Sequence, residues 1–409
     1  MSGQLAQQMP TVPPSADTPT HVMGTYGPRA FAAVRGEGAY LFDDAGRRYL
    51  DFTSGIAVNG LGHCHPALTK ALQAQSDTLW HCSNLFEVPG QETLAGRLCA
   101  DSFADAVFFT NSGAEALECA IKIARRFQHS AGQPQRHEVI TFEGCFHGRT
   151  LATIAAAGQE KLVSGFGPVM AGFKQVPLGD IEAVRAALTD QTAAILIEPV
   201  LGEGGIKVVD PDFLGALRKI CDEIGLLLMF DEVQCGIGRT GTLFAHEATG
   251  IAPDVMALAK GLGGGFPVGA CLANAHASAG MTPGSHGSTF GGNPLAVAVA
   301  NAVLDVIDQP DFLQDVADKG AEFLQSLTAL KSQWPSVVAD VRGRGLMLGL
   351  QITGSHMDFV AACRVAGLLL VPAAENVVRL LPPLTITAQE LSDALEILHS
   401  VAKRFSDDA

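Results

Sequence analysis

Lys260 stands in Leu258-Ala259-Lys260-Gly261-Leu262-Gly263-Gly264-Gly265, between an apolar run and a cluster of glycines. An amine at the end of a buried run is poorly solvated, and burial lowers its pKa toward that of a usable nucleophile. The glycines leave room beside it for a flat ligand. Such an amine suits Schiff-base chemistry with an aldehyde such as that of pyridoxal phosphate. A solvated lysine opening a loop has the same local sequence, so the other polar residues have to decide.

Asp231, in Phe230-Asp231-Glu232-Val233-Gln234, ends a second apolar run. A carboxylate there needs a cationic partner. A protonated pyridine nitrogen would serve, with Gln234 donating to a ring oxygen; a structural ion pair would serve equally. Asn111-Ser112-Gly113-Ala114-Glu115 follows a third run and opens a helical pattern. Ser112 is a good N-cap, and Glu115 is spaced for a capping box. The free N–H groups of that helix start suit a phosphate. In Cys145-Phe146-His147-Gly148-Arg149, Phe146 suits stacking on a ring and Arg149 suits a carboxylate. Ser288 and Thr289, within Gly287–Pro294, put hydroxyls beside glycines, as phosphate or carboxylate contacts require. His63-Cys64-His65 does not make a metal site: adjacent side chains diverge and no further ligand lies at the right spacing.

The elements that position these residues follow from the hydrophobic pattern. Short apolar runs occur at Ala106–Phe109, Val139–Phe142, Ala194–Ile197, Leu226–Phe230 and Val255–Ala259. Runs of this length read as strands buried on both faces. Helical stripes lie between them, one placing Leu117, Ile121, Ala124 and Phe127 together and another placing Leu214, Leu217, Ile220 and Ile224 together. The alternation predicts an α/β domain with a mostly parallel sheet, whose ligands bind at the carboxyl ends of the strands. Further on, helices over 302–308 and 312–330, one strand over 343–350, pieces at 368–372 and 377–381 and a last helix over 388–404 predict a smaller α+β domain. The expected division is an N-terminal arm at 1–20, a segment at 21–65 packing with the small domain, a large domain at 66–300 and the small domain at 301–409. The segment at 21–65 includes a hairpin around Asp44-Ala45-Gly46.

Composition agrees with a metabolic protein. The 409 residues are 47% hydrophobic, and 27 Lys and Arg against 42 Asp and Glu leave a net charge of −15. That balance argues against nucleic acid or an anionic membrane as partner. The nine cysteines include no CxxC pair, which predicts reduced thiols in the cytoplasm rather than a disulfide framework. No stretch is apolar enough for a membrane span, and the N-terminus lacks the pattern of a signal peptide.

Taken together, these motifs resemble those of the class III pyridoxal-phosphate aminotransferases, of fold type I, from about Tyr26 to the last helix. The resemblance extends to Arg35–Gly38, Ser54–Asn59, Leu61–Pro66, Glu198-Pro199-Val200 and Gly238-Arg239-Thr240-Gly241. Within that family it is greatest to the members that act on N2-acetylornithine. It implies amino transfer to 2-oxoglutarate, giving N-acetylglutamate 5-semialdehyde and glutamate. Ornithine, succinylornithine, succinyldiaminopimelate and 4-aminobutyrate stay open as donors, and an aminomutase as another activity. It further implies that Lys260 bonds the cofactor aldehyde and later moves the substrate proton. Ser112, Gly113 and Ala114 would hold the phosphate, Phe146 the ring face, Asp231 the ring nitrogen and Gln234 the ring oxygen. In a homodimer with shared sites, Thr289 would reach the neighbouring subunit's phosphate and Ser288 its substrate. Arg149 and Arg379 would hold substrate carboxylates, with Glu203 neutralising Arg379 when the ω-amine binds. Leu201, Leu117 and Cys235 depart from common family residues, and the first two are expected near enough to the site to alter substrate preference.

Overall fold

The computed structural model describes residues 21–407, and the expected arm at 1–20 lies outside the described residues. Its centre is a seven-stranded sheet. In chain order the strands are β1 (Ala106–Thr110), β2 (Glu138–Phe142), β3 (Phe173–Val176), β4 (Thr192–Ile197), β5 (Leu227–Asp231), β6 (Val255–Leu258) and β7 (Gly269–Ala273). Their spatial order is β1-β7-β6-β5-β4-β2-β3. Only β7 runs against its neighbours, β6 and β1; the remaining pairs are parallel.

The five apolar runs are β1, β2, β4, β5 and β6. Their residues alternate between two buried faces, as central parallel strands require. Val255 and Ala257 enter one core cluster, beneath the helix Gly113–Ser130, while Met256 and Leu258 enter another on the opposite face. Leu228 and Phe230 face a third cluster with Leu214 and Leu217 of the helix Pro211–Ile224. Two strands are not evident from the apolar pattern. β3, Phe-Lys-Gln-Val, is an edge strand, so only part of it needs to be apolar. β7, Gly-Ala-Cys-Leu-Ala, is wholly buried but built of small residues, because helix Gly113–Ser130 packs closely over it.

The chain after Asn293 begins with the helix Pro294–Ile307, capped by Asn293, and the longer helix Pro310–Gln333. The expected single strand over 343–350 is instead a hairpin. Val338–Arg344 pairs antiparallel with Met347–Ile352 around Gly345-Leu346, where Gly345 takes φ +54°. A strand cannot run straight through that left-handed residue. Val377–Leu380 adds to Met347–Ile352, and Val371–Pro372 completes a four-stranded antiparallel sheet. The expected piece at 368–372 is divided between two sheets. Its first half, Leu368–Leu369, pairs in parallel with Arg48–Asp51 of the N-terminal meander Ala33–Glu37, Tyr40–Asp43 and Arg48–Asp51. The last helix is Ala388–Asp407. The largest core cluster is continuous across these parts, from Leu258 and Val303 to Phe323, Leu348 and Leu398. Among the described residues no helix is long and apolar enough to cross a membrane.

Close backbone packing joins the long helix to the hairpin turn. A Cβ on Gly320 would lie 2.5 Å from the Gly345 carbonyl carbon. Gly320→Ala should therefore destabilise the protein by roughly 1–3 kcal/mol through overpacking. Gly96→Ala, in an exposed helix position with nothing within 4 Å of the new methyl, should instead stabilise by about 0.5–1 kcal/mol. Thermal unfolding of the two variants checks this; equal effects would contradict the contact.

Candidate active site

The carboxyl ends of β1, β2, β4, β5 and β6 meet around one cavity of about 330 Å³. Its lining includes Ser112, Gly113, Ala114, Phe146, Asp231, Gln234 and Lys260, which were expected, and His147 and Glu198, which were not assigned a role. Each lies at or just beyond a strand end, so the sheet brings together residues up to 148 positions apart, from Ser112 to Lys260.

Lys260 lies two residues beyond the end of β6 and takes φ +44°, a conformation unusual for a residue with a side chain. A 3₁₀ turn over Lys260–Leu262 then leads the glycines away from the sheet. Burial, and next the charge of Arg379, push the Lys260 amine down to about 8. The amine is thus partly neutral near physiological pH.

Asp231 is the last residue of β5 and is only 4% exposed. One carboxylate oxygen accepts the Val233 N–H at 3.0 Å, and the other pairs with His147 Nδ1 at 2.8 Å. Burial alone would lower the His147 imidazole, but Cys145 and the Asp231 carboxylate outweigh it and hold the group well above its ordinary value. His147 Nε2 is buried without a partner. The structure therefore gives Asp231 a structural ion-pair partner, His147, which the sequence did not identify. Adjacency to Phe146 and Arg149 was the one signal for His147.

The helix Gly113–Ser130 begins with Ser112 as N-cap, its hydroxyl accepting the Glu115 N–H at 3.3 Å. The expected capping box does not close. Glu115 reaches back to Asn111 instead, accepting its N–H at 2.7 Å and its side-chain amide at 2.9 Å. The first N–H groups of this helix have no acceptor within it, which leaves an anion site facing the cavity.

Arg379, on the strand Val377–Leu380, is 1% exposed. It pairs with Glu203 at 2.7 Å, donates to Gln234 Oε1 at 3.2 Å and to the Pro372 carbonyl at 3.1 Å. A Gln234 whose oxygen faces Arg379 turns its NH₂ to other partners. Glu198, 4% exposed, accepts the Phe146 and Gly202 N–H groups at 2.8 and 3.1 Å. Burial and the nearby Asp231 carboxylate push it up to about 7.

Five expected residues are not among those lining the cavity: Arg379 and Glu203, which reach it through Gln234, and Arg149, Ser288 and Thr289. Arg149 is exposed, its guanidinium 5.7 Å from the Phe146 ring centre. Ser288 and Thr289 sit on a separate surface depression, where the Ser288 hydroxyl accepts the Gly291 N–H at 2.9 Å. Leu117 and Leu201, expected near enough to the site to alter substrate preference, are wholly buried in core clusters and are not among the residues lining the cavity. Cys235 is buried beneath Asp231, its thiol donating to the Asp231 carbonyl at 3.8 Å. His63 Nε2 pairs with Asp51 at 2.8 Å, and no metal-binding group of three or more ligands occurs among the described residues.

The arrangement fits pyridoxal phosphate. A depressed amine faces the cavity from one wall, open helix N–H groups from another and an aromatic ring from a third. A buried carboxylate and an unpartnered imidazole nitrogen complete the enclosure. In the cofactor-free protein, acylation of Lys260 followed by mass spectrometry should be half-maximal near pH 8, because the amine is protonated and unreactive below that pH. Arg379→Leu should raise the midpoint, since it removes a cation and frees the Glu203 carboxylate, both of which favour the charged amine. A wild-type midpoint near that of an ordinary exposed lysine would contradict this account.

Comparison with known proteins gives the same picture. The family profile described as aminotransferase class-III matches residues 24–402. The chain is 56% identical over 387 residues to an acetylornithine aminotransferase of Agrobacterium fabrum, covering 95% of this chain and 97% of that one. Among solved structures, an ornithine aminotransferase of Toxoplasma gondii, described as having partial PLP occupancy at its active site, superposes with a TM-score of 0.91. It is 32% identical, over 95% of this chain and 93% of that one. An N-acetylornithine aminotransferase of Stenotrophomonas maltophilia superposes with a TM-score of 0.82 at 36% identity, over 93% and 98% of the two chains.

Proposed function

We propose that this chain, which belongs to the class III aminotransferase family, transfers the amino group of N2-acetyl-L-ornithine to 2-oxoglutarate. The products are N-acetyl-L-glutamate 5-semialdehyde and L-glutamate, a step of arginine biosynthesis. The cofactor is pyridoxal 5′-phosphate. When bound it supplies the electron sink and the carrier for the amino group.

The observation that carries the substrate reading is the pairing of the buried Arg379 with the partly exposed Glu203, beside Gln234 of the Lys260 cavity. Glutamate has a carboxylate on its reacting carbon, and a free Arg379 would hold it bidentately. The ω-amine end of acetylornithine has none, and against it the buried Arg379 guanidinium would be left unpaired. Glu203 neutralises Arg379 for that substrate and swings aside for glutamate. One cavity thus serves both half-reactions, in alternation.

The remaining roles extend the same reading. Lys260 Nζ would hold the cofactor through its aldehyde, and as a free amine it would move the proton at the substrate carbon that bears the amino group. Ser112, Gly113 and Ala114 hold the phosphate at the helix start. Phe146 covers the ring face. Asp231, oriented by His147, would keep the ring nitrogen protonated, and the Gln234 amide would donate to the ring oxygen. Arg149, above Phe146, takes the α-carboxylate of acetylornithine or the distal carboxylate of glutamate. Ser288 and Thr289 serve the neighbouring subunit of a homodimer, which accounts for their place outside this cavity. The enzyme works in the cytoplasm on small molecules, without membrane or nucleic acid.

Lys260→Ala should lower turnover by at least about a thousandfold, in the range for loss of a general base, and abolish covalent cofactor retention in denaturing mass spectrometry. A steady-state panel of acetylornithine, ornithine, succinylornithine, succinyldiaminopimelate and 4-aminobutyrate tests the donor. Acetylornithine should give the highest kcat/KM, and a higher value with any other amine would displace this reading. Activity in the absence of 2-oxoglutarate would indicate an aminomutase.

A further inference from the structure

Glu198 is buried at the cavity wall, yet it belongs to none of the roles assigned above. Its two oxygens hold backbone N–H groups from different segments. Oε1 takes that of Phe146, after β2, and Oε2 that of Gly202, after β4. Phe146 is the aromatic wall. Gly202 precedes Glu203 and lies directly on Gln234: a Cβ there would be 2.5 Å from the Gln234 side chain. Gln234 in turn accepts from Arg379, and Glu203 pairs with Arg379.

We infer that Glu198 is a positioning residue that staples the Gly202–Glu203 loop to the aromatic wall and so sets how readily Glu203 leaves Arg379. The proposal rests on the reading of Arg379–Glu203 as the substrate switch. The carboxylate is suited to this because a single side chain with two acceptor oxygens can anchor two N–H groups and needs no donor in return. The loop is the turn between the paired strands Val200–Leu201 and Lys207–Val208, and its far side is held by the Ala374 N–H, which donates to the Glu203 carbonyl at 3.0 Å, and by the Lys207–Glu375 ion pair. With the staple loosened, Glu203 holds Arg379 less firmly, and the balance moves toward the substrate that needs Arg379 free.

The negative charge of Glu198 also acts on Lys260, whose amine it helps to keep protonated. That effect is common to both half-reactions, so it changes the two rates together and cancels in their ratio. The ratio isolates the loop.

The test compares wild type with Glu198→Gln, Glu198→Ala and Glu203→Ala in single-turnover half-reactions of the full-length holoenzyme. The isosteric Gln keeps one acceptor oxygen and Ala keeps none. The ratio of kcat/KM for glutamate to that for acetylornithine should rise in Glu203→Ala. It should rise in the same direction by roughly three- to tenfold in Glu198→Gln, the effect of about one lost hydrogen bond, and by more in Glu198→Ala. Hydrogen–deuterium exchange on the cofactor-free full chain supplies a readout independent of turnover, and exchange over 199–206 should quicken in Glu198→Ala. An unchanged ratio in both Glu198 variants, with a raised ratio in Glu203→Ala, overturns the staple and leaves the switch standing. An unchanged ratio in Glu203→Ala overturns the switch and the staple with it. Unchanged exchange over 199–206 also counts against the staple.

Discussion

A carboxylate at the inner end of a central strand is the constraint around which the site is organised. Asp231 closes β5 between β4 and β6, where water cannot solvate it. A buried charge of this kind has to be compensated by a cation and by donors. His147 and the Val233 N–H supply part of that compensation from within the chain. Its negative potential is felt by its neighbours: with Cys145 it raises His147 against the effect of burial, and it adds to burial in pushing Glu198 up. A cationic ring placed against Asp231 would complete the balance, so the cavity is electrostatically prepared for its cofactor.

The second layer of organisation is a chain of contacts leading away from that floor. Glu198 ties the aromatic wall to the Gly202 loop, the loop rests on Gln234, and Gln234 shares Arg379 with Glu203. Arg379 arrives on a strand of the C-terminal sheet, whereas the other members come from loops beyond the large sheet. Its guanidinium is nearly inaccessible, so its charge is satisfied by short-range partners rather than by solvent. Small displacements of these partners therefore have energetic consequences out of proportion to their size. The same low solvation depresses the Lys260 amine, with the Arg379 charge adding to the effect. Substrate choice and nucleophile activation share one electrostatic environment.

Much of the fold was legible because burial on both faces leaves a mark in the chain. The runs that became β1, β2, β4, β5 and β6 are uninterrupted apolar segments. β7 leaves no such mark because its small side chains reflect close helix packing, not hydrophobic content, and β3 leaves none because an edge strand is buried only in part. The Gly343–Leu350 segment was misread as one strand since its apolar residues continue across the turn; only the backbone conformation of Gly345 marks the reversal. Leu117 and Leu201 lie next to site motifs in sequence but point into the core, because neighbours along a helix or strand face different sides.

What the sequence determined by itself was the set of chemical groups and the strand ends that carry them. An amine, a carboxylate and a capped helix start following apolar runs leave few alternatives once considered together. What the tertiary structure alone decided was who partners whom. That His147 meets Asp231, that one Glu198 serves two loops and that Arg379 lies between Glu203 and Gln234 all depend on contacts between residues far apart in the chain. Such contacts are set by how the sheets and helices pack. Local pattern records whether a residue is buried, but not which distant group it meets there.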